Sequence, residues 1–270
     1  MDRTTFAQHI VHRLMRERDA FAREFATAGR LRTCIIDDLL PADEAKRIHD
    51  LFPPADRLIR QKTFREFKYA SSQMNLYHPL LEELVFAFQE PPLLDVVADL
   101  TGIRPLLPDP TLYVSGLSLM TRGCFVNPHL DNSHDRERRR YRVLNLLFYV
   151  TPDWKDDYGG HLQLWEQGFT VPPRTIAYRF NRLVIMETTR SSYHSVTEVS
   201  HTRGRCCVSN YLFSPRPIDG KDYFHVTSFR ATPPHVFADA ILRTDTFVRN
   251  MLRKLFPLGL RDNPHVYHRQ

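Results

Sequence analysis

From Leu112 onward the hydrophobic pattern of this 270-residue chain changes period. Before that point apolar residues recur at helical spacing; after it, short apolar runs follow one another at intervals of about ten residues. Leu112–Met120, Tyr141–Val150, His161–Trp165, Thr175–Phe180, Arg182–Thr188 and Arg205–Phe213 read as strands. No helices of crossover length alternate with them, which disfavours a parallel sheet and leaves a sandwich or barrel. The expected class is mainly β with flanking helices.

The flanking helices are legible from their own spacing. Phe6, Ile10, Leu14, Phe21 and Phe25 predict one helix over residues 4–28, stopped by Gly29. It reads as a cover on the outside of a sheet, with dimerisation as the alternative. Cys34-Ile35-Ile36 predicts a strand, and Asp43 opens a helix through Ala45, Ile48 and Leu51. Residues 55–76, with Phe64, Phe67 and Tyr69 among Lys62, Arg65 and Lys68, read either as an edge strand at the rim of a site or as a solvated basic loop. Pro79–Phe88 and Leu93–Leu100 are helical, the second closed by Gly102. A last helix over 237–256 places Leu242, Phe247, Met251 and Leu255 near one face, with Arg243, Arg249, Arg253 and Lys254 around it. Packing on its own domain is the expected role, and contact with an anionic surface or membrane the alternative. The chain divides into 1–110 (helices and opening strand), 111–215 (β core) and 216–270 (C-terminal extension), expected to fold as one integrated unit.

Composition narrows the partners. Hydrophobic residues at 42% and charged residues at 25% fit a globular chain, not a disordered one. A net charge of +6 favours anionic partners in general. No aromatic stacking stripe is interleaved with phosphate-binding residues, which disfavours nucleic acid. Cys34, Cys124, Cys206 and Cys207 form no C-x-x-C pair, so a zinc ribbon is excluded and reduced thiols in the cytoplasm are expected. No apolar run has the length of a membrane span, and the charged first residues do not read as a signal peptide. The oligomeric state stays open.

His129-Leu130-Asp131 and the distant His194 carry the chemistry. In an extended segment His129 and Asp131 project to the same side, and closure of the sheet would bring His194 beside them. Two imidazoles and one carboxylate, with positions left open, are the ligand set of non-heme Fe(II) oxygenases. Arg205 begins a strand that is otherwise apolar and small. A buried guanidinium needs a carboxylate, and the distal carboxylate of 2-oxoglutarate would accept a bidentate pair from it. Arg203 shares its parity and is the rival.

These residues resemble the Fe(II)- and 2-oxoglutarate-dependent dioxygenases, in their prolyl-hydroxylase-like branch. The resemblance runs from about Leu112 to Phe213, with a weaker echo at Ile35-Ile36-Asp37-Asp38-Leu39-Leu40-Pro41. His129-Leu130-Asp131 matches the first two iron ligands and His194 the third. Gly159-Gly160-His161-Leu162 resembles the glycine pair and strand of the jelly roll, and Arg205 leads into Ser209-Asn210-Tyr211-Leu212-Phe213. Counting from His194 favours Arg203 as the 2-oxoglutarate clamp; counting back from Phe213 favours Arg205.

The resemblance implies a double-stranded β-helix core of the jelly-roll or cupin kind. It also implies Fe(II), 2-oxoglutarate and O2, and hydroxylation of an unactivated C–H bond; a small metabolite is the expected substrate, an anionic one if the arginine-rich loop 132–142 selects it rather than being a solvated turn. A protein or peptidyl-prolyl hydroxylase is the alternative, and a non-enzymatic jelly-roll binding protein a more distant one. Asp131 argues against halogenation, for which related enzymes replace this carboxylate with a small residue. The family's tyrosine before His-x-Asp is missing from Met120-Thr121-Arg122-Gly123. Tyr113, Asn145 or Tyr149 would have to take its role at 2-oxoglutarate. Arg138, Arg140 and Arg142 in the basic loop, and Trp165, are the candidates for substrate contact.

Overall fold

The computed structural model describes residues 1–26, 31–256 and 263–268. α1 (Arg3–Arg16) opens on Asp2, whose carboxylate accepts the Thr5 backbone N–H at 2.8 Å. The single helix expected over 4–28 is two: Glu17 leaves the helical region at φ −129° and α2 (Arg18–Phe25) restarts behind it. The break lets α1 pack on the later helices while α2 reaches the first strand, so both apolar stripes are buried. The expected stop at Gly29 lies outside the described residues.

β1 (Thr33–Ile36) and α3 (Ala42–Asp50) follow, with Asp43 and Glu44 in the first turn of α3, where carboxylates suit the helix dipole. The ambiguous segment 55–76 is a hairpin, β2 (Ile59–Lys62) and β3 (Glu66–Ser71). β3 is no edge: it also pairs with two strands of the core. α4 (Pro79–Ala87) and α5 (Pro91–Thr101) complete the helical layer. Gly102 closes α5 at φ 71°, a left-handed cap that costs glycine little.

The core strands are β4 (Gly116–Met120), β5 (Phe125–Leu130), β6 (Tyr141–Tyr149), β7 (Leu162–Leu164), β8 (Arg174–Ile176), β9 (Arg182–Glu187), β10 (His194–Val196), β11 (Arg205–Ser214) and β12 (Ser228–Phe229). The strand expected from Leu112 starts only at Gly116, because Leu112–Ser115 turns, with Leu112 and Val114 both at positive φ. All pairs are antiparallel, in the order β1-β9-β6-β11-β4-β3-β5-β10-β7-β8, with β12 added to β5 and β2 to β3. The two ends of this path meet: Arg174 of β8 donates to Leu31 O and to Thr33 Oγ1 beside β1. The sheet thus curls back on itself, a jelly-roll-like half-barrel with helices on its outer face.

Strand alternation sorts the two faces. On β6, Leu144, Leu146 and Phe148 belong to the core shared with Phe6, Leu84 and Phe88 of the helices, while Asn145 and Leu147 line an interior cavity. On β11, Cys206, Val208 and Leu212 face the helices, while Arg205, Cys207, Ser209 and Tyr211 line the cavity. α6 (Val236–Leu255) closes the described structure with residues 263–268. Its one fully buried residue is Leu242. The packing expected for this helix is met by Leu242 and the polar side of the helix, while Phe247, Met251 and Leu255, expected on the same face as Leu242, point outward. None of the described helices is long and apolar enough to cross a membrane.

Candidate metal centre

His129 lies near the end of β5, and His194 begins β10 directly opposite it in the antiparallel register. Asp131 stands just beyond β5, two residues from His129 and on the same side. One ligand atom from each residue falls within 4.8 Å of the others. His129 Nε2 is 3.8 Å from Asp131 Oδ1 and His194 Nε2 3.7 Å from Asp131 Oδ2. All three side chains are buried.

The tautomers follow from the backbone. His129 Nδ1 is 3.0 Å from the carbonyl of Asn127, and His194 Nδ1 is 3.0 Å from that of Ser192. A carbonyl only accepts, so each Nδ1 carries the proton and each Nε2 turns a lone pair to the centre. Burial, then the like charge of His194, pushes His129 down to about 4, which keeps it neutral. Burial alone would raise Asp131, but His194, Arg142, His129 and a Tyr211 hydrogen bond together hold it below the usual carboxylate range. Two imidazoles with Nε2 turned to the centre and an ionised carboxylate fit a divalent iron with part of its coordination shell open.

Sequence reasoning missed what holds Asp131. The Tyr211 hydroxyl donates to Oδ1 at 2.9 Å and Asn145 Nδ2 to Oδ2 at 3.3 Å. Arg142 Nη1 lies 4.0 Å from Oδ1, with its guanidinium 3.6 Å over the Tyr211 ring. Period-two spacing from Arg205 through 207 and 209 reaches Tyr211, so its face was legible although its partner was not.

The centre opens on a cavity of about 560 Å³. Arg205 lines its buried end, with Nε donating to Gly160 O at 2.5 Å and the guanidinium over the rings of Tyr149 and Tyr178 at 4.9 and 4.8 Å. Arg203 is a third exposed, sits beside Asp153 and does not line this cavity. Asn145 lines it; Tyr113 lines a separate cleft of about 180 Å³, beside Arg142. Tyr149 stacks on Tyr178 beneath Arg205, and its buried hydroxyl has no hydrogen-bond partner among the described residues.

The substrate candidates separate. Arg142 is buried behind Asp131. Arg138 bonds the backbone of Arg253 and packs on Phe224, and Arg140 reaches Pro108 O, so both lie outside the main cavity. Trp165 is buried, its Nε1 donating to Ser195 Oγ at 2.9 Å. The outer end of the cavity is lined instead by Glu66 and Lys68 of β3, by Arg65, by Arg249 of α6 and by His265. Lys68 Nζ is 2.9 Å from Glu66; burial raises the Glu66 carboxyl, but Lys68 together with His129 and His265 holds it below the usual carboxylate range. Arg65 and Arg249 share the single carboxylate of Asp245.

A family model described as the 2OG-Fe(II) oxygenase superfamily matches residues 115–213. Over that stretch the chain is similar to the 2OG-Fe(II) oxygenase superfamily, and His129, Asp131 and His194 all lie within it. The chain is 31% identical over 96 residues to the prolyl 3-hydroxylase OGFOD1 of Mus musculus, a stretch covering 34% of this chain and 17% of that protein. In fold it is similar to a Trichoplax adhaerens prolyl hydroxylase in complex with a hypoxia inducible factor peptide fragment (TM-score 0.52, 16% identity, 73% of this chain and 89% of that one). It is also similar to a 2OG-Fe(II) oxygenase family oxidoreductase from Burkholderia pseudomallei (TM-score 0.50, 15% identity, 74% and 90%).

Proposed function

We propose that His129, Asp131 and His194 hold Fe(II), that Arg205 anchors the distal carboxylate of 2-oxoglutarate, and that the protein hydroxylates a C–H bond of a small anionic molecule. One observation carries this reading: three convergent ligand atoms and a buried guanidinium share one cavity. Bound Fe(II) with 2-oxoglutarate and O2 supplies the oxidation, with succinate and CO2 as co-products. The protein's part is to keep His129 neutral, to turn the Nε2 atoms of both imidazoles to the centre, to hold the carboxylate ionised through Tyr211, Asn145 and Arg142, and to present Arg205 away from water. Its cavity orients the substrate and excludes side reactions.

The support for an anionic substrate lies at the outer end. Arg65 and Arg249 against Asp245, and Lys68 against Glu66, leave one positive charge in excess facing the cavity. The basic loop that suggested an anion in the sequence supplies none of these groups. A second reading, hydroxylation of a prolyl residue in a protein, is favoured by the prolyl 3-hydroxylase relative and the peptide-bound structural neighbour. The four buried, unpaired thiols support a reducing compartment such as the cytoplasm.

The test is Fe(II)-dependent conversion of 2-oxoglutarate to succinate, in wild type and His129→Ala. Wild type turns over and the variant falls to background. Product analysis then separates the substrates: an anionic metabolite or a prolyl peptide gains one oxygen atom. Absence of both metal binding and turnover in wild type would end the oxygenase reading.

A further inference from the structure

α6 is amphipathic in the inverted sense. Its polar side holds it to the body: Asp239 pairs with Arg230 at 2.6 and 2.9 Å, Asp245 with Arg65, and Asn250 Oδ1 accepts the Val226 N–H at 3.0 Å. Its apolar side faces out, from Phe237 (90% exposed) through Ile241, Val248 and Met251 to Leu255 (70% exposed). Among the described residues nothing covers this stripe. It offers solvent on the order of several hundred Å² of contiguous apolar surface, more than a monomeric protein ordinarily leaves open.

We propose that this stripe is a homodimer interface in which two copies of α6 pair antiparallel. The spacing carries the choice of occupant. Phe237, Ile241, Thr244, Val248, Met251 and Leu255 are separated by four, three, four, three and four residues, the repeat of a two-helix seam rather than of a broad helical face. This series reads the same in both directions. Reversed about its midpoint, Phe237 meets Leu255 of the partner subunit, Ile241 meets Met251 of the partner subunit, and Thr244 meets Val248 of the partner subunit. The same register sets the small Ala240 against Leu252 of the partner subunit, which gives that side chain room. A twofold contact requires such self-complementarity, and antiparallel helices also oppose their dipoles favourably.

The seam is about 27 Å long at the helical rise, and a stable interface needs roughly 800 Å² from each partner. The exposed stripe, widened by Phe247 and Leu252, is of that order. A lipid surface fits less well. Interfacial helices carry cations along both rims of a wide apolar face, whereas here Arg249 and Arg253 turn toward the body, one rim holds only Ala238, and exposed cations, Arg243 and Lys254, stand on the other rim alone. The N-terminal helices bury their stripes and leave no comparable face.

Analytical ultracentrifugation of the whole protein tests this. Wild type sediments as a dimer at tens of micromolar. Ile241→Asp with Val248→Asp weakens association by at least about 100-fold. Its unchanged far-UV circular dichroism and 2-oxoglutarate turnover separate loss of the interface from loss of the fold. Thr244→Cys with Val248→Cys forms intermolecular disulfides under mild oxidation. A wild-type monomer, a dimer indifferent to the paired aspartates, or a monomer that co-sediments with phosphatidylcholine–phosphatidylserine vesicles would each overturn the proposal. Loss of turnover in wild type bears on the oxygenase reading and leaves the sedimentation result standing.

Discussion

Asp131 is the residue on which the most interactions converge. Each of its oxygens carries one hydrogen bond, from Tyr211 and from Asn145, and each faces one imidazole. Arg142 behind it is buried, with Nε and Nη1 lacking hydrogen-bond partners among the described residues and Nη2 donating to Tyr113 O. A guanidinium so placed acts through its charge and its packing on Tyr211 rather than as a surface contact. Groups that orient a metal-binding carboxylate typically change metal affinity by about 10- to 100-fold when removed. Tyr211→Phe is therefore expected to weaken Fe(II) binding by that factor in an anaerobic titration while the fold melts at nearly the wild-type temperature. Unchanged affinity would show that the hydroxyl does not position the carboxylate.

At the scale of elements, the turn before β7 decides how Arg205 is held. Gly160 sits at φ 69°, and a Cβ there would lie 2.6 Å from Arg205 Cδ. The preceding Gly159 is as tightly placed, since its Cβ would lie 2.1 Å from Glu198 O. Two glycines thus let the chain pass close enough for Gly160 O to take the Arg205 Nε–H. Gly160→Ala is expected to displace the guanidinium and raise KM for 2-oxoglutarate by one to two orders of magnitude, on the general sensitivity of positioned groups to about an ångström of movement. Fe(II) affinity, measured in the same variant, stays near wild type because the ligands lie on β5 and β10. The hairpin β2–β3 was the element least legible in sequence. Its charges alternate with aromatics because β3 lies within the sheet, Glu66 and Lys68 facing the cavity and Phe67 and Tyr69 the other side.

Across the whole molecule, one cluster of buried side chains joins the helices of 1–110 to β6, β9 and β11 and reaches Tyr267 near the other end. That continuity supports the proposal that the three segments fold as one unit. Stability should then respond to acid as a single transition. The folded protein holds His129 near 4, below its ordinary value of 6.5, and holds Asp131 below 3.8. Between about pH 4 and 6.5 the unfolded chain takes up a proton at His129 that the folded chain refuses. Stability of the metal-free protein therefore rises with pH through that window and is lost on acidification. Denaturant titrations at pH 5 and pH 7 check this: the pH 5 midpoint is the lower. Equal midpoints would mean that His129 is not held neutral.

His129, Asp131 and His194 were legible because ligand chemistry and strand parity are local: a two-residue step returns to the same face, and imidazole and carboxylate are what iron takes. The helices at 79–88 and 93–100 were legible for the same reason, through spacing, proline and glycine. What binds Asp131, which of Arg203 and Arg205 enters the cavity, and where the loop arginines end up depend on contacts between segments far apart in sequence, 80 residues for Asp131 and Tyr211 and 115 for Arg138 and Arg253. Arg205 and Arg203 share a parity, and only the pairing of β11 with β4 and β6 buries one and leaves the other beside Asp153. Likewise the C-terminal helix shows its two faces in sequence, but not which one the body covers. Burial follows from the free energy of the assembled fold. There Asp239, Asp245 and Asn250 found polar partners on the body, so it is the apolar stripe that remains outside.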